Sequence, residues 1–308
     1  MTTKTFSTHR PCPACAAGVA RRHGEKNGFP LLICQTCGTL YTFCLPDPSG
    51  GQDYDAYYGP HNLATPDFVG RRLDEIVSTF AAHRQNNRLL DVGFGAGDLL
   101  RAAVRAGWDA EGIEVSQPAV ESARTFGLKV FQGELAAAHY PDACFDVVTA
   151  VEVLEHVPDP QALVGEVARI LRPGGLFWAT TPHGRGLSAR LLKTQWSVVS
   201  PPEHLQLLSP GGTKTLLKDA GFRSARVATQ GVNPYEIWHV LRRRRPGSEE
   251  SLKAEGTADN DTFSRTESGS HLNEFLIGSP ARLALKNLIN RMLSASRLGD
   301  SLKIRAVL

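Results

Sequence analysis

The chain lacks the marks of several protein classes. No run of 18 apolar residues occurs in its 308 positions, so none is long enough to cross a bilayer as a helix. The opening stretch, 1–11, is polar and has no signal-peptide core, which leads to the expectation of a cytoplasmic protein with no integral membrane segment. Net charge is only +3, too little to demand a polyanion, so nucleic acid is not expected as a partner. No internal repeat is visible. Cysteine is sparse, six residues in all, yet four of the six fall into two C-x-x-C pairs. Without a secretion signal, such pairs point to metal rather than to disulfides. The length allows one large domain or two modest ones.

The pairs are Cys12-Pro13-Ala14-Cys15 and Cys34-Gln35-Thr36-Cys37, the second followed by Gly38, with 18 residues between them. Each turn can aim two thiolates at one point, and four thiolates in a tetrahedron suit Zn2+. With all ligands supplied by the protein the site is closed, hence structural. Residues 1–45 are therefore expected to form a zinc ribbon with a hairpin arm ending in Phe29-Pro30-Leu31-Leu32-Ile33; so short a unit needs a staple. A redox C-x-x-C is the competing reading. Cys44 and Cys144 are expected to remain unliganded thiols.

Residues 46–67, rich in Pro, Gly, Asp and Tyr and including Tyr54, Tyr57 and Tyr58, read as a linker or lid. Helical spacing follows over 68–83. Then comes the most telling stretch, Leu89-Leu90-Asp91-Val92-Gly93-Phe94-Gly95-Ala96-Gly97-Asp98. An apolar strand runs into three glycines, and a helix follows. Glycine permits positive φ and close approach of backbone N–H groups to a ligand. Glu114, at the end of the next apolar run, is placed to accept two ribose hydroxyls. A nucleoside-containing cofactor follows from this.

Strands are expected over 88–92, 110–115, 128–132, 145–151, 176–180 and 223–228. Helices are expected over 97–106, 116–126 with Ser116 as N-cap, 159–171 and 210–220. The alternation implies a parallel α/β sheet with helices on both faces. Residues 242–271 open with Arg242-Arg243-Arg244-Arg245-Pro246, and their Ser, Glu, Gly, Thr and Asp content is that of a flexible loop. Helical spacing returns over 273–298, and 301–308 is β-like.

From Leu89 onward the chain resembles class I S-adenosylmethionine-dependent methyltransferases of the small-molecule type. The resemblance rests on the G-x-G-x-G turn, Ile113-Glu114-Val115-Ser116, Phe145-Asp146-Val147-Val148, Val151-Glu152-Val153-Leu154-Glu155-His156-Val157, Leu171-Arg172-Pro173-Gly174-Gly175, Pro201-Pro202-Glu203-His204-Leu205 and Ala220-Gly221-Phe222. A dinucleotide fingerprint would need glycine where Asp98 stands. The resemblance implies a seven-stranded Rossmann-like sheet whose last strand, 301–308, is antiparallel and slots between the fifth and sixth. The domain would then span 68–308, with 242–298 inserted.

The resemblance also implies site roles. Asp91 would meet the methionine ammonium, Gly93, Gly95 and Gly97 would wrap the amino-acid end, and Glu114 would take the ribose diol. Glu134 would lie at the adenine amino group and Glu152 along the methionine side. Methyl transfer to a hydroxyl calls for a base, and the candidates are His156 and His204, with His183 as a third. The expected acceptor is a small or carrier-bound molecule methylated on oxygen or carbon. The alternative is an rRNA base methyltransferase whose zinc ribbon binds RNA. It is disfavoured by the modest charge and by the lack of an Asn/Asp-Pro-Pro-Tyr/Phe-like segment after the strand over 145–151.

Overall fold

A computed structural model of the chain describes residues 10–46, 55, 67–243 and 280–308. Tyr54, Tyr57, Tyr58, nearly all of the expected linker and residues 244–279 of the expected insertion lie outside the described residues.

The main sheet is built by period-two alternation. Its strands are β4 (Arg88–Val92), β5 (Asp109–Glu114), β6 (Lys129–Gln132), β7 (Phe145–Val151), β8 (Leu171–Pro182), β10 (Ser224–Gln230) and β11 (Ser301–Val307). They lie in the order β10-β11-β8-β7-β4-β5-β6. The neighbours Leu89 and Leu90, Val147 and Val148, and Leu176 and Phe177 belong in pairs to the two different cores, one on each face. A sheet buried on both faces needs such continuous apolar strands. The β4, β5, β6, β7 and β8 pairings are parallel. β11 is antiparallel to both β8 and β10 and sits between them, as the resemblance implied.

The helices are α1 (Asp67–Ser78), α2 (Asp98–Arg105), α3 (Gln117–Thr125), α4 (Pro160–Ile170), α5 (Leu187–Leu192), α6 (Pro210–Asp219), α7 (Pro234–Arg243) and α8 (Pro280–Ser296). Asp159 caps α4 by accepting from the N–H groups of Gln161 and Ala162. Ser116 does not cap α3 in this way; its hydroxyl has no partner, and Pro118 at the second helical position has no N–H to offer it. The expected helix over 68–83 breaks at Ser78, and a 3-10 turn follows at Ala81–His83. β8 begins five residues before the expected strand. Its register with β7 jumps from Phe145–Leu171 to Val147–Leu176, so the Arg-Pro-Gly-Gly run bulges within the strand rather than preceding it. α7 extends helix to Arg242 and Arg243, where a loop was expected; Glu236 anchors it by accepting from the Ser197 N–H. The expected helix over 273–298 is described from Pro280.

A second sheet joins β1 (Ala20–Lys26), β2 (Phe29–Cys34), β3 (Leu40–Thr42) and β9 (Gln206–Leu207). The cysteine ribbon is thus completed by a strand from far along the chain. Arg10 strengthens the seam, its guanidinium donating to the Leu205 carbonyl at 2.6 Å and to Gln206 Oε1 at 3.1 Å.

At the opposite end of the main sheet from the glycine turn, Asp146 is fully buried. It accepts from the Gln85 and Asn86 N–H groups at 3.0 and 2.8 Å and from Arg172 Nε. Removing one partner of a buried, hydrogen-bonded pair strands the other. Asp146→Ala is expected to cost about 3–5 kcal/mol in urea unfolding at pH 7. A loss under about 1 kcal/mol would show that this junction does not clamp β7 to β8.

Candidate active site

The carboxyl edge of the parallel strands gathers the sequence-predicted residues. β4 ends at Val92, and the chain turns through Gly93, Gly95 and Gly97 with φ of +66°, +53° and +76°. A Cβ on Gly93 would lie 2.6 Å from Val153 Cγ2, so the turn excludes a side chain on steric as well as conformational grounds. α2 starts directly behind it.

Glu114, at the tip of β5, is 5% exposed. Its carboxylate accepts from Gly95 N at 3.1 Å, Val115 N at 2.8 Å and Ser116 N at 3.1 Å, which holds it against the turn. Asp91 is 2% exposed and accepts from Thr149 Oγ1 at 2.6 Å. No cation pairs with either group among the described residues. Burial pushes the Asp91 carboxyl up to about 7, the Thr149 bond opposes this, and the Glu114 charge adds to it. Two clustered acids without a counter-charge, beside a turn only glycine can make, fit a ligand carrying hydroxyls and a positive charge. S-adenosylmethionine has both. Glu134 is exposed just beyond β6, and Glu152 is exposed beyond β7 with a φ of +53°. A non-glycine residue held at positive φ stores strain of the kind found at functional sites.

The structure also brings His156 and His204 together. Their rings meet edge to face with centroids 4.7 Å apart. Backbone carbonyls orient both rings: Glu203 O lies 2.9 Å from His156 Nδ1, and Val198 O lies 2.6 Å from His204 Nδ1. A carbonyl can only accept, so each Nδ1 carries a proton, and in the neutral ring the lone pair is then on Nε2. Burial, then the neighbouring His204, pushes His156 down to about 4, so it is neutral at pH 7. No carboxylate takes either Nδ1. Glu155 Oε1 lies 3.9 Å from His156 Nε2 and has no hydrogen-bond partner, while Oε2 accepts from Thr181. Burial, then the Glu152 charge, raises the Glu155 carboxyl well above the usual range. Glu155, His156 and His204 offer ligand atoms within 4.8 Å of one another, a cluster with the ligand types for proton transfer or a divalent cation. His183 stands apart, fully buried beyond β8 with Nδ1 on the Gly299 carbonyl.

Cys12, Cys15, Cys34 and Cys37 converge with all four sulfurs within 4.8 Å, and Cys44 and Cys144 lie outside the cluster. The Cys12–Cys37 and Cys15–Cys34 contacts are 3.5 and 3.6 Å. A Zn–S bond of about 2.3 Å in a tetrahedron gives sulfur–sulfur edges of roughly 3.8 Å, so the set has the size of such a site. The Cys12 contact pushes the Cys37 thiol down to about 4, giving a ready thiolate.

A family model described as a methyltransferase domain matches residues 66–226. The ubiquinone biosynthesis O-methyltransferase of Ralstonia nicotianae is 37% identical over 180 residues, which cover 54% of this chain and 70% of that protein. That of Methylococcus capsulatus is 38% identical over 133 residues, covering 41% and 54%. The crystal structure of a SAM-dependent methyltransferase from Archaeoglobus fulgidus superposes with a TM-score of 0.52 at 16% identity, over 83% of this chain and all of that one. This last match speaks to the fold alone.

The buried acids generate a stability prediction. Asp91 ionises near 7 in the folded chain and near 3.9 when unfolded, so its contribution to stability is lost as pH rises between those values. Asp91→Asn is therefore expected to raise the stability of the ligand-free protein at pH 8 by a few kcal/mol, on the order of 3. The gain should shrink toward pH 4. Thermal unfolding across that range would overturn the assignment if the variant were less stable at pH 8.

Proposed function

The chain belongs to the class I S-adenosylmethionine-dependent methyltransferases, and we propose that it methylates a hydroxyl oxygen of a small or carrier-bound acceptor, using His204 and His156 as the proton-accepting pair. The observation that carries this reading is the paired imidazoles, each with Nδ1 tied to a carbonyl, at the same sheet edge as Asp91 and Glu114. The naming of both relatives as O-methyltransferases supports oxygen as the acceptor atom. When bound, S-adenosylmethionine supplies an activated methyl group, so the protein has mainly to align the acceptor and take its proton.

Asp91 binds the methionine ammonium and regains the counter-charge its burial lacks. Glu114, already fixed by three N–H groups, takes the ribose diol with its remaining lone pairs. Gly93, Gly95 and Gly97 let the backbone close on the amino-acid end. Glu152 lines the methionine side and Glu134 meets the adenine amino group. The Nε2 lone pair of neutral His204 takes the hydroxyl proton of the acceptor, with the neutral His156 ring packed edge to face beside it. Glu155, whose carboxyl is raised by burial and by the Glu152 charge, sits beside the pair.

Zn2+ held by Cys12, Cys15, Cys34 and Cys37 has a bracing role in this reading. Thr42 of β3 donates its N–H to the Leu205 carbonyl, and the Leu205 N–H donates to the Glu155 carbonyl. The ribbon thereby holds the segment carrying His204 against the segment carrying His156.

Turnover of a methyl-labelled cofactor with an acceptor found by extract screening tests the base. His204→Ala is expected to lower turnover by about a hundredfold or more while S-adenosylhomocysteine affinity stays within about twofold. Unchanged turnover removes His204 from that role. For the ribbon, Cys37→Ser is expected to lose bound zinc, read by elemental analysis, and to lower the unfolding midpoint. Full zinc occupancy in that variant would sink the four-cysteine site.

A further inference from the structure

A second cavity at the same sheet edge is not used by the reading above. It has a volume of about 260 Å³ and lies where the ribbon, the end of β8, the start of α6 and the end of α8 meet. Arg185, Arg190 and Arg297 line it, together with Cys37 and Gly211. None of the three guanidiniums has a carboxylate partner among the described residues; the one contact of Arg190 is to the Arg185 carbonyl. Gly211 lies in the first turn of α6, and its N–H has no acceptor among the described residues. The positive end of the helix therefore adds to the three cations.

His183 forms part of the cavity wall and is 1% exposed. Its Nδ1 is tied to the Gly299 carbonyl at 2.8 Å, and its Nε2 is buried with no partner. A buried polar nitrogen without a partner is costly unless a ligand supplies one. The ring is also depressed, first by burial and then in part by the charges of Arg190 and Arg185. An oxyanion among the arginines offsets those charges; the Nε2 atom itself is closed off from the cavity and serves the wall rather than the ligand.

We propose that this cavity binds a phosphoryl group, phosphate or diphosphate, carried by the methyl acceptor. Three arginines and a helix start leave net positive charge even beside the Cys37 knuckle, whose four thiolates and Zn2+ would carry about −2, and guanidiniums match phosphoryl oxygens in pairs. The position fits an acceptor's handle. His183 bridges to Leu208, and the segment from His204 to Ser209 joins the proposed base to the cavity rim. This assignment rests on reading the carboxyl edge as the acceptor side.

The test is calorimetric titration of the zinc-loaded full chain with pyrophosphate and, in competition, phenyl phosphate. Pyrophosphate is expected to bind, and phenyl phosphate to displace it. Arg185→Gln and Arg297→Gln should each weaken pyrophosphate at least tenfold, with Arg185→Lys recovering part of the loss. Absence of pyrophosphate binding, or equal affinity in the wild type and both glutamine variants, overturns the site. Pyrophosphate binding that phenyl phosphate does not displace leaves a free-anion site and overturns the acceptor handle. Titration of S-adenosylhomocysteine into the same samples, and turnover of His204→Ala, report separately on the methyl-transfer reading, since neither residue set overlaps the arginines.

Discussion

Uncompensated negative charge at the end of a parallel sheet is the constraint on which the site depends. Asp91 and Glu114 sit at the tips of adjacent strands, buried, with hydrogen bonds but without a cation among the described residues. A buried carboxylate in that state is destabilising, and the fold retains it because the parallel sheet fixes both strand tips beside the glycine turn. The turn must approach closely enough for Gly95 N to reach Glu114, which only a glycine path through positive φ allows. Strand register, turn and acid pair thus depend on one another.

The ribbon is the second structural dependency. Its hairpin alone would have two strands and a small core. Pairing β3 with β9 extends it to four strands, and Arg10 ties its start to the same segment. Leu31, Leu40, Leu192, Trp196 and Leu207 then share one core. The ribbon is a buttress for the 196–208 region rather than an appended module. Because that region carries His204 and leads to the arginine-lined cavity, an element gathered around four cysteines positions side chains it does not itself supply.

The acceptor side is assembled differently from the cofactor side. The residues proposed to hold the cofactor lie at or just beyond the tips of neighbouring strands. The His156–His204 pair, Glu155 and the cavity around His183 come from loops after β7 and β8, from the start of α6 and from the end of α8. Backbone carbonyls, not acidic side chains, set the histidine tautomers, so the two rings stay aligned without added charge.

Much of this was legible in the residues. The strand over 88–92, the glycine turn, Glu114, the four cysteines and the antiparallel final strand all appear where the sequence reading placed them. These features are local: period-two apolarity, a G-x-G-x-G spacing and a C-x-x-C turn each act within a few residues. α7, β9, the bulge in β8 and the missing Ser116 cap were not legible. α7 depends on Glu236 reaching Ser197, β9 depends on the ribbon offering an edge, and the Ser116 cap meets Pro118, which has no N–H to donate. By itself the sequence determined the sheet, the glycine turn with its acids and the four-cysteine cluster, since neighbouring residues carry that information. Only the tertiary structure decided which histidines meet, what the ribbon braces and where three arginines converge. Those contacts join segments far apart in the chain, and packing at one sheet edge brings them together.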